Sequence, residues 1–274
     1  MNKKWTIAIF LIIAVGLSLL YSEYFIALFL NEDHDEMSQE PPLILVHGFN
    51  PVYNPRIGEL SFKEMQFRLS DGLGYEDRGI YITNMSCASI RGEKIVIRFS
   101  YFDNLQNPTI EEYTRDFGDA VERIKNCTGA EKVDIVSHSM GGVVARNYIR
   151  TIDNSSIRKL IMLGTPNHGG LYNIAEFADR LAEEWDYNFS IDFIELSENN
   201  EFMKELNEVE TVEGIEYYTA AGDIDGRGDG VVLKDSVWLD EQEGNITVDC
   251  FHTFIKSPFR CEKAYGFVKQ ALQR

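Results

Sequence analysis

Along residues 41–163, short runs of β-branched residues alternate with longer stretches whose apolar positions recur at helical spacing. Leu43-Ile44-Leu45-Val46 is a continuous apolar run, opened by Pro41 and Pro42 and closed by His47-Gly48, as expected of a strand buried on both faces. Residues 62–73 predict a helix, 79–84 the next strand and 94–99 a further extended run. In 109–126, Tyr113, Phe117, Val121 and Ile124 fall on one helical stripe. Residues 133–138 and 158–163 predict two more buried strands, 215–221 and 245–248 two late ones, and a helix closes the chain. Such βαβα alternation predicts an α/β domain over 41–274: a mostly parallel sheet, helices on both faces, and functional loops at the C-terminal ends of the strands.

Two segments break this rhythm. Between 171 and 212, Ile174, Phe177, Ala178, Leu181 and Trp185 lie on one helical stripe, and Phe202, Met203 and Leu206 predict a second helix. Inserted between two strands, these helices are expected to form a cap with an apolar inner face; ordinary sheet-packing helices are the alternative. From Glu176 to Glu213 the segment carries 13 Asp and Glu against Arg180 and Lys204. At the other end, Trp5 to Ser22 is 18 residues without a formal charge, preceded by Lys3 and Lys4. Residues 5–30 therefore read as a transmembrane signal anchor or, alternatively, as a cleaved signal peptide, followed by an acidic linker at 31–40. The lysines on one side and Asp/Glu on the other orient the domain outside the cytoplasm, membrane-anchored or secreted.

The chemistry is concentrated where a strand turns straight into a helix: Ser137-His138-Ser139-Met140-Gly141-Gly142. This is the layout of a nucleophile elbow, a strained strand-to-helix turn that exposes a serine Oγ, with Ser139 as candidate nucleophile. Ser137 stands where the G-x-S-x-G pattern has its first glycine. The helix N-terminus directs its N–H groups at developing negative charge, so Met140 is one candidate oxyanion donor. Phe49, on the loop after the first strand, is the other. A serine nucleophile needs a base and an orienting acid; in the α/β-hydrolases, which this elbow resembles, these follow in the chain order Ser, Asp/Glu, His. Of the five histidines, His34 lies in the linker, His47 precedes the oxyanion residue, His138 adjoins the serine and His168 lies upstream of every good acid candidate. His252, past a late strand, remains as candidate base.

With the loop Leu163-Gly164-Thr165-Pro166-Asn167-His168-Gly169-Gly170 added to the elbow and to His47-Gly48-Phe49, the chain from about Leu43 onward resembles the α/β-hydrolase lipases and carboxylesterases. The resemblance implies an acid in a G/N-D-G-x-V element, which here matches Asp229. Asp223, just after the strand at 215–221, is the runner-up, and Asp225 a more distant one. It also implies a cap over the site and no metal or organic cofactor. Asp223, Asp225 and Asp229 could instead cup calcium, but Arg227 and Lys234 stand where an EF-hand would need ligands. Arg227-Gly228-Asp229 spells an adhesion tripeptide, which is common by chance.

Composition narrows the rest. A net charge of −18 argues against nucleic acid as partner, because phosphate contacts need Lys and Arg. Four cysteines fit an oxidising compartment; of the three pairings, Cys250–Cys261 with Cys87–Cys127 is the expected one, and free thiols are the alternative. Five N-x-S/T sequons occur, at Asn84, Asn126, Asn154, Asn188 and Asn245. The expected function is a serine ester hydrolase acting on acyl lipids or other carboxylic esters, touching a membrane through its N-terminal helix. The neighbouring readings are an acyltransferase or a lipid deacylase of the GPI-inositol-deacylase type. A non-catalytic binding module on the same scaffold is the reading from another class.

Overall fold

A computed structural model describes residues 40–49, 58, 60–100, 109–171 and 195–274. The chain divides into two units, Met1–Gln39 and Glu40–Arg274, and the described residues belong to the second. The apolar N-terminal run, most of the acidic linker and the stripe from Ile174 to Trp185 lie outside the described residues. Among the described residues, no helix is long and apolar enough to cross a membrane.

Seven strands form one sheet: β1 (Leu43–Val46), β2 (Glu76–Ile80), β3 (Ile95–Phe99), β4 (Val133–His138), β5 (Ile157–Leu163), β6 (Glu216–Gly222) and β7 (Gly244–Val248). Their order is β2-β3-β1-β4-β5-β6-β7, and each neighbouring pair runs parallel. Parallel strands need crossovers, and the connections carry α1 (Lys63–Leu73), α2 (Cys87–Ile90), α3 (Ile110–Thr128), α4 (Met140–Thr151) and α5 (Glu201–Leu206), while α6 (Glu262–Leu272) follows the last strand. Side chains alternate across the pleat. Ile44, Val46, Ile95, Ile97, Val133, Ile135, Leu160 and Met162 pack with α3, α4 and α5 on one face. Leu43, Leu45, Val96, Val136, Ile161 and Leu163 pack with α1 and α6 on the other. Both faces are thus covered, which is why the central strands carry apolar residues on both sides of the pleat.

Local signals account for the helix ends. Thr109 caps α3 in a reciprocal box: Glu112 N–H donates to its Oγ1 at 3.2 Å, and its own N–H donates to Glu112 Oε2 at 2.9 Å. Gly129, at φ 78°, ends the helix. Two elements differ from expectation. The strand expected at 79–84 occupies Glu76–Ile80 instead. It is an edge strand with mostly exposed or half-exposed side chains, so its position is set by backbone pairing to β3 and not by the apolar Ile80-Tyr81-Ile82 run; Ile82 is 58% exposed. The helix expected from 62 starts at Lys63, because Phe62 takes a left-handed conformation with φ 60°. Within the segment expected to form a cap, α5 buries Met203 and Leu206 in the same core as α4, so this helix packs as part of the domain body.

Both disulfides have the expected pairing. Cys87–Cys127 ties α2 to the last turn of α3, and Cys250–Cys261 closes the loop between β7 and α6. The first closes a separation of 40 residues, long enough for a substantial restriction of the unfolded chain. The Cys87→Ala/Cys127→Ala double variant is expected to lose about 2–4 kcal/mol of stability. Denaturant unfolding checks this, and an unchanged midpoint would contradict it.

Candidate active site

The site is assembled at the C-terminal end of the sheet, around the β4–α4 junction. β4 runs buried to His138, and α4 starts at Met140 without a loop, so Ser139 alone absorbs the change of direction with φ 54°, ψ −130°. A non-glycine residue held there stores roughly 1–3 kcal/mol of strain. Neighbouring segments hold it in place. Ser139 N–H donates to Leu163 O of β5 at 3.0 Å, and Gly142 N–H donates to Ser139 O at 3.0 Å. The chain after β1 presses in from the other side. A Cβ at Gly48 would lie 2.6 Å from Ser139 Cβ, and one at Gly141 would lie 2.5 Å from His47 O. Gly141 therefore serves the close approach of the β1 end to the elbow, and any side chain at Gly142 would overlap Thr165. Ser137 fits the place of the expected glycine because its Oγ is absorbed by β5, donating to Ile161 O at 3.3 Å.

Three of the candidate residues meet. His252 Nε2 lies 2.9 Å from Ser139 Oγ, and His252 Nδ1 lies 2.7 Å from Asp229 Oδ2. Ser139, Asp229 and His252 are all buried, Asp229 almost completely. The other Asp229 oxygen, Oδ1, accepts from Val231 N–H at 2.9 Å and Val232 N–H at 2.7 Å. With the carboxylate acting only as acceptor, His252 carries its proton on Nδ1 and donates it in a hydrogen bond to Asp229, leaving Nε2 to accept from the serine hydroxyl. His252 N–H also donates to Asp229 O at 3.0 Å, so backbone and side chain fix the pair together. Gly164, at φ 58°, leaves room for them: a Cβ there would come within 3.1 Å of Asp229 Oδ2 and 3.2 Å of His252 Nδ1.

The alternative acids and His168 have other partners. Asp223 pairs with Lys234 Nζ at 2.8 Å and accepts from Gly226 N–H at 2.7 Å; the lysine beside it holds its carboxyl below the usual range. Asp225 accepts from Arg227 N–H at 3.0 Å. Both brace the turn that leads into Asp229. Among the described residues, no group of three or more His, Cys, Asp or Glu is arranged to hold a metal. His168 Nε2 lies 2.7 Å from Glu210 Oε1. Met140 opens α4 directly after Ser139, and Phe49 follows the glycine that abuts the Ser139 side chain.

Two contributors carry no sequence signal of their own. His138 is buried with its ring 4.6 Å from that of His252, and its Nε2 lies 2.9 Å from His252 O. Burial holds its pKa well below 6.5, so the ring is neutral and its Nε2–H donates to that carbonyl. It thereby positions the backbone of His252. Arg146, buried in α4, donates to Asn167 O at 3.0 Å and to Asn207 Oδ1 at 2.9 Å, joining the loop after β5 to the chain after α5. Only the fold brings these partners together.

Comparison with known proteins agrees with this architecture. Residues 41–217 match the family model of the alpha/beta hydrolase fold, and the chain belongs to that family. No curated protein matches it by sequence. Among solved structures, the mature lipase BlEst2 of Bacillus licheniformis is 17% identical with a TM-score of 0.60, over 88% of this chain and 94% of that one. The lin2722 product of Listeria innocua is 18% identical with a TM-score of 0.54, over 84% and 94%. Lipase B of Aspergillus fumigatus is 13% identical with a TM-score of 0.53, over 87% and 54%. At these identities the likeness is one of fold.

The buried histidines make stability depend on pH. His47 is lowered by burial from 6.5 to about 4, and His138 is lowered as well. An unfolded histidine binds its proton near 6.5, so on acidification the unfolded chain takes up protons that the folded chain refuses. The contribution is fully present above that value and is lost as pH falls toward the folded pKa, at about 1.4 kcal/mol per pH unit for each histidine. Urea unfolding between about pH 7.5 and about pH 5 should show this decline, with a shallower slope for His138→Asn. Equal slopes for the variant and the parent would refute it.

Proposed function

We propose that the chain is a serine hydrolase of carboxylic esters, with acyl lipids as the favoured substrate class. Ser139 is the nucleophile, His252 the base and Asp229 the orienting acid. The observation that supports this reading is the relay from Ser139 Oγ through both His252 nitrogens to Asp229, at 2.9 and 2.7 Å. His252 Nε2 takes the hydroxyl proton as Ser139 Oγ attacks the ester carbonyl, giving a tetrahedral oxyanion. The N–H groups of Met140 and Phe49 receive that oxyanion, with the N-terminal end of α4 favouring the negative charge. The His252 imidazolium, stabilised by the Asp229 carboxylate, then protonates the leaving alcohol. Water, deprotonated by His252, attacks the acyl carbonyl, and the imidazolium returns that proton to Ser139 Oγ as the acyl–oxygen bond breaks and the acid leaves.

A serine-directed organophosphonate should label Ser139 alone, and Ser139→Ala should abolish turnover while leaving the melting temperature roughly unchanged. Asp229→Asn should lower kcat by on the order of 10^4, as in other triads. Asp223→Asn, which disturbs only the lysine pair, should leave kcat within a fewfold of the parent. Label on another residue of a folded chain, or Asp223→Asn as the crippling change, would overturn the assignment. A chain-length series of chromogenic esters would identify the acyl group.

We further propose that the domain acts outside the cytoplasm, anchored by residues 5–30. The support is Lys3 and Lys4 before the uncharged run, together with the four cysteines paired in two disulfides. Protease added to intact cells should release an active fragment starting between about residues 31 and 40, close to where a polar linker replaces the span. Activity confined to the cytosol would refute this, and a mature N-terminus near Glu23 would mean a cleaved signal peptide instead.

A further inference from the structure

The loop between β7 and α6 has two sides. Its inner side delivers His252 to the serine, and its outer side displays aromatic rings. Phe251 is 54% exposed and Phe259 61% exposed, although both sit inside the loop closed by Cys250–Cys261. The loop is built from consecutive tight turns: Phe254 N–H donates to Phe251 O at 2.8 Å, Ser257 N–H to Phe254 O at 2.8 Å and Arg260 N–H to Ser257 O at 3.1 Å. These turns and the disulfide fix the backbone from which the two exposed rings project. The first turn of α1 adjoins this loop across a shallow groove of about 270 Å³, which Leu60 and Phe254 line together. Leu60 is 65% exposed, and Phe67, one turn along α1 from Lys63 and Glu64, is 58% exposed.

Cations are interleaved with these apolar groups. Arg260 lies over the Phe254 ring at 4.4 Å, and Arg68 over the Phe259 ring at 5.6 Å. Lys63 and Lys256 line the groove, with Glu64 as the acid beside them, engaged by the Ser257 hydroxyl. Burial lowers the Lys256 ammonium to about 8, so it stays mostly protonated at neutral pH. Among the described residues, Lys63, Arg68, Lys256 and Arg260 gather around Glu64, a local reversal of sign on a chain of net charge −18.

We propose that this face, formed by the Cys250–Cys261 loop and the start of α1, docks the domain on an anionic lipid surface. Phe251, Phe259 and Leu60 enter the headgroup boundary, while Lys63, Arg68 and Arg260 meet the lipid phosphates. Aromatic and aliphatic tips alternating with snorkelling cations is the composition that lies in such an interface. The interleaved lysines argue against a protein partner, because lysine is depleted where proteins meet. Since Phe251 adjoins His252, docking brings the rim of the candidate active site to the lipid. The inference does not require Ser139 to be the nucleophile.

The test uses the full chain with Phe259→Trp as a fluorescent reporter, read as a difference from the parent. Phosphatidylcholine vesicles carrying a brominated phospholipid are offered with and without phosphatidylglycerol. Bromine quenching of the reporter is expected on phosphatidylglycerol vesicles and should weaken at high salt. Each basic residue near an anionic surface contributes about fivefold in affinity, so K63Q/R260Q should need about 25-fold more lipid for half-maximal quenching. Because the N-terminal run can itself partition into lipid, the local quenching of the reporter is the decisive quantity. Quenching that is equal on both vesicles, or indifferent to salt and to K63Q/R260Q, overturns the proposal. So does a reporter that ignores both vesicles but responds to poly-glutamate, which would identify an acidic protein surface as the partner. No turnover is measured, so the result is independent of the hydrolase assignment.

Discussion

The arrangement depends on one strained residue. Ser139 is held at positive φ because the surrounding segments leave the chain no other path: β5 accepts its N–H, the end of β1 packs against the first turn of α4, and Thr165 fills the space beside Gly142. A lone turn would relax out of this conformation, but one wedged between parallel strands cannot do so without opening the sheet. The strain is small beside the burial of the β4 and α4 side chains, each worth about 1.5–3 kcal/mol when large and apolar. The glycines at 48, 141 and 142 are the complement of the strain. They let backbones approach more closely than any side chain allows, and so leave the serine hydroxyl at the end of the sheet.

Around this turn the protein buries His138, Ser139, Arg146, Asp229 and His252, and hydrogen bonds hold them. Asp229 accepts from two backbone N–H groups as well as from His252, His138 donates to the His252 carbonyl, and Arg146 donates to Asn167 and Asn207. A buried polar group without partners is costly, so such a network restricts the loops after β5, β6 and β7 to few arrangements. The same network makes the site sensitive to acid, because His47 and His138 are accommodated only as neutral rings. Geometry and pH response therefore share a physical origin, the exclusion of water from the sheet end.

The loop after β7 joins this interior to the outer surface. Cys250–Cys261 and the successive turns between them fix His252 from behind while displaying Phe251 and Phe259 to solvent. A flexible loop could do either task, but doing both needs a rigid one. The disulfide supplies that rigidity where the chain has neither helix nor strand.

Much of this was legible in the sequence because its signals are local. Short, mainly apolar runs at 43–46, 133–138 and 158–163 identify buried strands, and the stripe of Tyr113, Phe117, Val121 and Ile124 identifies a helix. Ser139 stands out because a strand runs into a helix with no loop between them, and the residue at that junction must take the turn. Elimination among the histidines left His252 as the candidate base, and the family resemblance put Asp229 before Asp223 as the candidate acid. Which carboxylate faces the imidazole is a tertiary matter: Asp223 is drawn off by Lys234, eleven positions away, while the backbone turn at Val231 and Val232 aims Asp229 inward. The edge strand β2 was displaced from its expected place because pairing to β3, and not burial, selects its residues. His138 and Arg146 were silent for a related reason: their partners lie 114 and 21 positions away or more, and no local pattern encodes contacts at that range. Periodicity and turn chemistry act over a few residues and can be read from the chain; the meeting of buried polar groups from separate loops exists only once the sheet has brought those loops to one end.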